Sequence, residues 1–104
     1  MLSIIETKLF TRLVQEYLND DEYSKLQWLL ASDPEAGPVI PGTGGVRKLR
    51  WKAPGRGKRG GYRVIYYAKQ ADGIIWMLTM YPKNVIDNIS AHVLRKIREE
   101  IDNG

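Results

Sequence analysis

Tyr62 to Tyr81 reads YRVIYYAKQADGIIWMLTMY, and this stretch decides the fold. Its two flanks, Tyr62 to Lys69 and Ile74 to Tyr81, are apolar and rich in aromatic and β-branched residues, as half-buried strands require. Between them lies Gln70-Ala71-Asp72-Gly73, whose Asp-Gly pair accepts the backbone of a hairpin turn. A third strand is expected just upstream. Val46 to Trp51 alternates, so that Leu49 and Trp51 share one face with Arg47 while Lys48 and Arg50 share the other. One face can pack and the other presents charge. Lys52 to Gly61, KAPGRGKRGG, is a Gly-rich basic loop long enough to join this strand to Tyr62.

The N-terminal third is helical in pattern. Ser3 to Glu6 is a short apolar start suited to a first strand, and Thr7 can cap a helix whose stripe is Leu9, Phe10, Leu13, Val14, Tyr17 and Leu18. In a second helix, Asp20, Asp21 and Glu22 suit the positive N-terminal end, and Tyr23, Leu26, Leu29 and Leu30 supply the buried face. Ser32-Asp33-Pro34 stops it. Ala36 to Gly45 is rich in Pro and Gly and marks the change from helices to strands. A last helix follows Ser90 as N-cap, with Val93, Leu94, Ile97 and Ile101 as its stripe and Ile89 placed to staple against Leu94. The order predicts an α+β domain spanning residues 1–104, with two N-terminal helices packed on a small antiparallel sheet and a C-terminal helix.

At 104 residues and 43% hydrophobic content, one domain can bury a core without disulfides. The chain has no cysteine, which excludes thiolate catalysis and zinc thiolate sites, and its single histidine, His92, leaves no multi-histidine metal site. No metal or other cofactor is expected. The first residues lack the pattern of a signal peptide and no apolar run approaches the ~20 residues of a membrane span, so a soluble, cytoplasmic protein is expected, without a membrane partner.

Charge is distributed unevenly. Nine basic residues (Arg47, Lys48, Arg50, Lys52, Arg56, Lys58, Arg59, Arg63 and Lys69) lie between Glu35 and Asp72 with no carboxylate among them. Residues 1–35 carry three basic and seven acidic side chains, so the formal net charge of +4 hides a dipolar molecule. Such a field recruits a polyanion, most commonly a phosphate backbone. If the strands pair in sequence, Lys48, Arg50 and Arg63 converge on one surface, and Lys83 arrives there from the end of the last strand. Fixed cations of this kind stabilise charge that develops on a phosphate. Arg56-Gly57-Lys58-Arg59-Gly60-Gly61 lacks Walker A spacing and precedes a strand, so it suits contact with nucleic acid better than a nucleotide cradle. Arg47, Lys52, Arg56, Lys58 and Arg59 are accordingly assigned to contact with nucleic acid. Tyr81 offers an aromatic surface for an unpaired base, and His92 reads as a surface residue. No paired-carboxylate or Ser-His-Asp constellation can be assembled.

Three segments resemble the HigB/RelE-type toxins of bacterial type II toxin-antitoxin systems. They are Gly42-Thr43-Gly44-Gly45-Val46-Arg47-Lys48-Leu49-Arg50, Gly57 to Tyr67 with its Gly-Tyr-Arg strand motif, and Leu78-Thr79-Met80-Tyr81-Pro82-Lys83-Asn84. The resemblance implies a RelE-like fold and a ribosome-dependent mRNA endoribonuclease that cuts in the A site without metal, through 2′-hydroxyl attack. It implies catalytic roles for Lys48, Arg50, Arg63 and Lys83, with Arg63 in the place of the phosphate-stabilising arginine. Some such toxins carry a tyrosine in the C-terminal segment, and this chain has none after Tyr81. Either Tyr81 takes part or the proton transfers fall to Lys48 and Lys83. The implied partners are the ribosome, its mRNA and a cognate helix-turn-helix antitoxin, with operator DNA reached only through the antitoxin. The alternatives are a gyrase inhibitor of the ParE type and a nucleic-acid-binding module without chemistry.

Overall fold

The computed structural model describes residues 2–52, 60–85 and 89–104. Strand β1 (Ser3–Glu6) leads into helices α1 (Lys8–Tyr17) and α2 (Asp20–Ser32). Strands β2 (Val46–Trp51), β3 (Tyr62–Lys69) and β4 (Ile74–Pro82) follow, then helix α3 (Ala91–Asn103). The α+β order expected from the sequence is the order observed. Local chemistry explains each start. Thr7 accepts from the Phe10 amide at the head of α1, and Ser90 accepts from the Val93 amide at the head of α3. Asn19 and Glu22 cap α2 reciprocally, each side chain taking the other's backbone N–H.

The sheet is mixed, which corrects the expectation of a wholly antiparallel one. Its strand order is β1-β4-β3-β2, and β1 runs parallel to β4 from Ser3 beside Ile74 to Glu6 beside Met77. The reason is connectivity. β2, β3 and β4 are antiparallel neighbours in sequence, so β4 runs with β2; β1 reaches β2 through helices, a crossover that joins strands of like direction. The β3–β4 connection is a short 3₁₀ turn over Gln70–Asp72, closed by Gly73 in the left-handed conformation.

Both faces of the sheet pack. On one, Phe10 and Val14 of α1 and Leu26 and Leu30 of α2 meet Leu49, Trp51, Val64, Tyr66, Ile75 and Met77. On the other, Leu94 of α3 closes over Val46, Ile65 and Leu78, flanked by Trp76, Ile97 and Ile101. The face assigned to Lys48 and Arg50 is therefore shared: α3 covers its first half through Val46, and the basic residues hold the remainder. Asp102 fastens this helix to β3, accepting from the Tyr67 hydroxyl at 2.9 Å, and is itself oriented by Arg98 of the same helix, which donates to it at 2.9 Å.

One irregularity resets the alternation of β4. Ile65 opposes Thr79 but Tyr66 opposes Met77, so Leu78 is an extra residue, a β-bulge. Thr7 seals it. Its amide donates to the Met77 carbonyl at 3.0 Å and its hydroxyl to the Leu78 carbonyl at 2.7 Å. Consecutive carbonyls of a regular strand point to opposite sides and would not both reach one residue.

Candidate functional site

The register places three side chains in one line across the sheet. Arg50 of β2 opposes Arg63 of β3, and Arg63 opposes Tyr81 of β4. Cross-strand partners share a face, and Arg63 stands opposite to buried Tyr62 and Val64, so this line lies on the α3 side of the sheet. Tyr81 reaches it only because of the bulge. An unbroken alternation from Ile75 and Met77 would have sent Tyr81 into the α1/α2 core; with Leu78 inserted, Met80 fills that core and Tyr81 packs on the α3 side.

Lys48 lies one row inward on the same face, in register with Ile65 and Thr79. Lys83 arrives from beyond the end of β4, where its amide donates to the Gly61 carbonyl at 3.0 Å. A side chain at Gly61 would strike the Trp51 carbonyl at 2.7 Å, so only glycine lets the returning chain lie this close to β2. Arg50, Lys52, Arg63 and Lys83, with Trp51 and Gly61, line a shallow pocket of about 200 Å³. Among the described residues no carboxylate pairs with Lys48, Arg50, Arg63 or Lys83. Among the described residues, these cations therefore concentrate positive potential at this end of the sheet.

Of the residues singled out in the sequence, Lys48, Arg50, Lys52, Arg63, Tyr81 and Lys83 gather at this end of the sheet. Arg47 does not. It points to the other face, donates to the Gly37 carbonyl at 2.8 Å and lies 3.9 Å from Glu35. Arg56, Lys58 and Arg59 lie outside the described residues. His92 is exposed, as expected. Among the described residues no group of three or more His, Cys, Asp or Glu is placed to hold a metal ion.

Two features escaped the sequence reading. The bulge carries no Gly or Pro to announce it. The other is the Pro/Gly-rich connection before β2, which folds against that strand as a second edge: Ile40 donates to the Val46 carbonyl at 2.8 Å and Lys48 to the Pro38 carbonyl at 3.0 Å. Buried Thr43, within the Gly-Thr-Gly-Gly segment, donates to the Ile40 carbonyl at 2.7 Å and accepts from the Val46 amide at 3.0 Å. Its position between glycines was the available signal.

A four-stranded sheet with helices on both faces and basic side chains gathered at one end defines a small α+β protein. Residues 3–102 match the model of the RelE toxin of the RelE/RelB toxin-antitoxin system, and the chain belongs to that family. It is a toxin of a toxin-antitoxin system, and an antitoxin is its partner. Among solved structures it is similar to the crystal structure of a metal-bound toxin from Helicobacter pylori, at 18% identity and a TM-score of 0.44, covering 80% of this chain and 96% of that one. Among the described residues no helix is long and apolar enough to cross a membrane.

Proposed function

We propose that this toxin is a ribosome-dependent mRNA endoribonuclease. The observation that carries the reading is the Arg50, Arg63 and Tyr81 line with Lys48 and Lys83 beside it. In the reaction, the 2′-hydroxyl on the 5′ side of the cut loses its proton and attacks the adjacent phosphorus. The bond to the 5′-oxygen breaks, and that oxygen takes up a proton, leaving a 2′,3′-cyclic phosphate and a 5′-hydroxyl. Arg63, central in the line, holds the scissile phosphate and stabilises the charge gathering on its oxygens, with Arg50 beside it. Tyr81, Lys48 and Lys83 are the groups within reach of the two proton transfers. Lysine and tyrosine side chains are as a class weak acid–base catalysts at neutral pH. The ribosome, by aligning the hydroxyl with the phosphorus, supplies what the toxin lacks. Lys52, with Arg56, Lys58 and Arg59 of the adjoining segment, grips RNA around the site. The cognate antitoxin, a helix-turn-helix protein that alone touches operator DNA, neutralises this surface in the cytoplasm.

Primer extension on translating ribosomes tests the reading. Arg63→Ala is expected to cut mRNA about a hundredfold more slowly or worse, with the fold intact by circular dichroism. Cutting at the wild-type rate by that variant removes Arg63 from the site. Growth arrest with mRNA intact and gyrase inhibited assigns the chain to the alternative, ParE-type activity.

A further inference from the structure

A groove of about 460 Å³ runs along the outer edge of β2, walled by Pro38, Val39, Ile40 and Pro41 and rimmed by Lys48 and Arg50. Arg50 also lines the basic pocket next to Arg63, so the groove and the proposed cleavage site adjoin through one side chain. We propose that this groove holds a single unpaired nucleobase of the bound message, the one next to the scissile phosphate, and so contributes to the choice of cleavage position. The inference rests on the nuclease reading and deepens it.

The chemistry of the walls fits that occupant. A nucleotide joins a flat ring, apolar on its faces and polar at its edges, to an anion; the groove sets proline and aliphatic surface, which suits a ring face, beside two cations. Its size lies within the range of sites that enclose small ligands. The walls are also fixed in advance. Tyr66, buried, accepts from the Gly37 amide at 2.9 Å and donates to the Pro34 carbonyl at 2.8 Å. Arg47 donates to the Gly37 carbonyl at 2.8 Å. A Cβ at Gly37 would lie 2.9 Å from the backbone of Lys48 and Leu49, so the loop is pressed as close to β2 as the chain permits. Pro38 and Ile40 are then tied to β2 by backbone bonds at 3.0 and 2.8 Å. A preformed groove binds without the cost of ordering its own walls. Val39, 45% exposed, is available to a ligand from solvent.

The test uses two short RNA-like oligonucleotides that cannot be cut because the attacking hydroxyl is absent, one complete and one lacking the base beside the scissile phosphate. Methyl NMR shifts of Val39 and Ile40 are followed during titration. The complete oligonucleotide is expected to move both methyl sets and to bind about tenfold more tightly than the abasic one. Equal affinity with equal shifts overturns the groove, as do methyl groups that neither oligonucleotide moves. Methyl groups moved by the antitoxin and by neither oligonucleotide assign the groove to the protein partner and also overturn it. Val39→Leu, which narrows the groove, is expected to change the relative use of cleavage positions on ribosomes, and an unchanged pattern counts against the inference. Cleavage by the wild type, read in the same assay, stands or falls separately, so loss of the groove is distinguishable from loss of the nuclease reading.

Discussion

The hydroxyl of Thr7 donates to the carbonyl of Leu78 at 2.7 Å, across 71 positions of sequence. The same oxygen accepts from the Phe10 amide at 3.0 Å, so one side chain starts α1 and stabilises the bulge that turns Tyr81 toward Arg63. Thr7→Val keeps the shape and removes both bonds. The expected cost is about 1–2 kcal/mol, the sum of a lost cap and an unmatched carbonyl. Urea unfolding measures it. Cutting on ribosomes should fall with it under conditions where the variant is fully folded, while Thr7→Ser should preserve both stability and activity. Full activity in a destabilised Thr7→Val would separate the bulge from the aim of Tyr81.

The elements were legible because their signals are local. Thr7 and Ser90 announce caps, the Asp-Gly pair announces the β3–β4 connection, and the alternation of Val46 to Trp51 separates Arg50 from Trp51. The gathering of Arg50 and Arg63 followed from two strands joined by one loop. What stayed hidden depends on distant partners. No residue of β1 states which edge it joins, and Leu78 differs in no way from its neighbours until Thr7 arrives to take its carbonyl. Arg47 has the same composition signal as Lys48; only the alternation, and then the Gly37 carbonyl, sets it apart.

Tyr66 supports the groove from beneath. Burial pushes its phenol above the ordinary tyrosine value, so it stays protonated, donating to Pro34 and accepting from Gly37. Tyr66→Phe leaves a buried amide and carbonyl without that partner, at a cost of about 1–3 kcal/mol. Hydrogen exchange at the Gly37 amide should accelerate more than global destabilisation accounts for. Exchange that rises only in step with global stability would mean that the loop is held by Arg47 and the β2 bonds alone.

The attachment of α3 should weaken in acid. The bond from Arg98 holds the Asp102 carboxyl below its ordinary value, with further help from the Tyr67 hydroxyl and the charge of Lys69. A carboxylate whose pKa is depressed by folding stabilises the native state above its unfolded value, near 3.9, and that contribution disappears as pH falls through the lower, folded value. Thermal melts should therefore show Asp102→Asn below the wild type at pH 7. The gap should close as pH falls below about 4. A gap that persists unchanged in acid would show that Asp102 acts through packing and not through its charge.

Arg50 and Arg63 oppose each other directly on neighbouring strands, and like charges in that arrangement oppose folding. A sheet built only for stability would place a neutral or acidic residue at one of the two positions. Arg50→Gln should accordingly stabilise the fold, by about 0.2–1 kcal/mol at low salt, since Arg50 is exposed and water screens the repulsion. Added salt should raise the melting temperature of the wild type more than that of the variant. If the toxin is the proposed nuclease, the same substitution should slow mRNA cutting, because the charge that repels in the free toxin would attract the phosphate on binding. Higher stability together with lower activity is the signature of a charge pair kept for its ligand. A variant that melts lower instead would show that the stem of Arg50 packs on the sheet and that its loss outweighs the relief of charge.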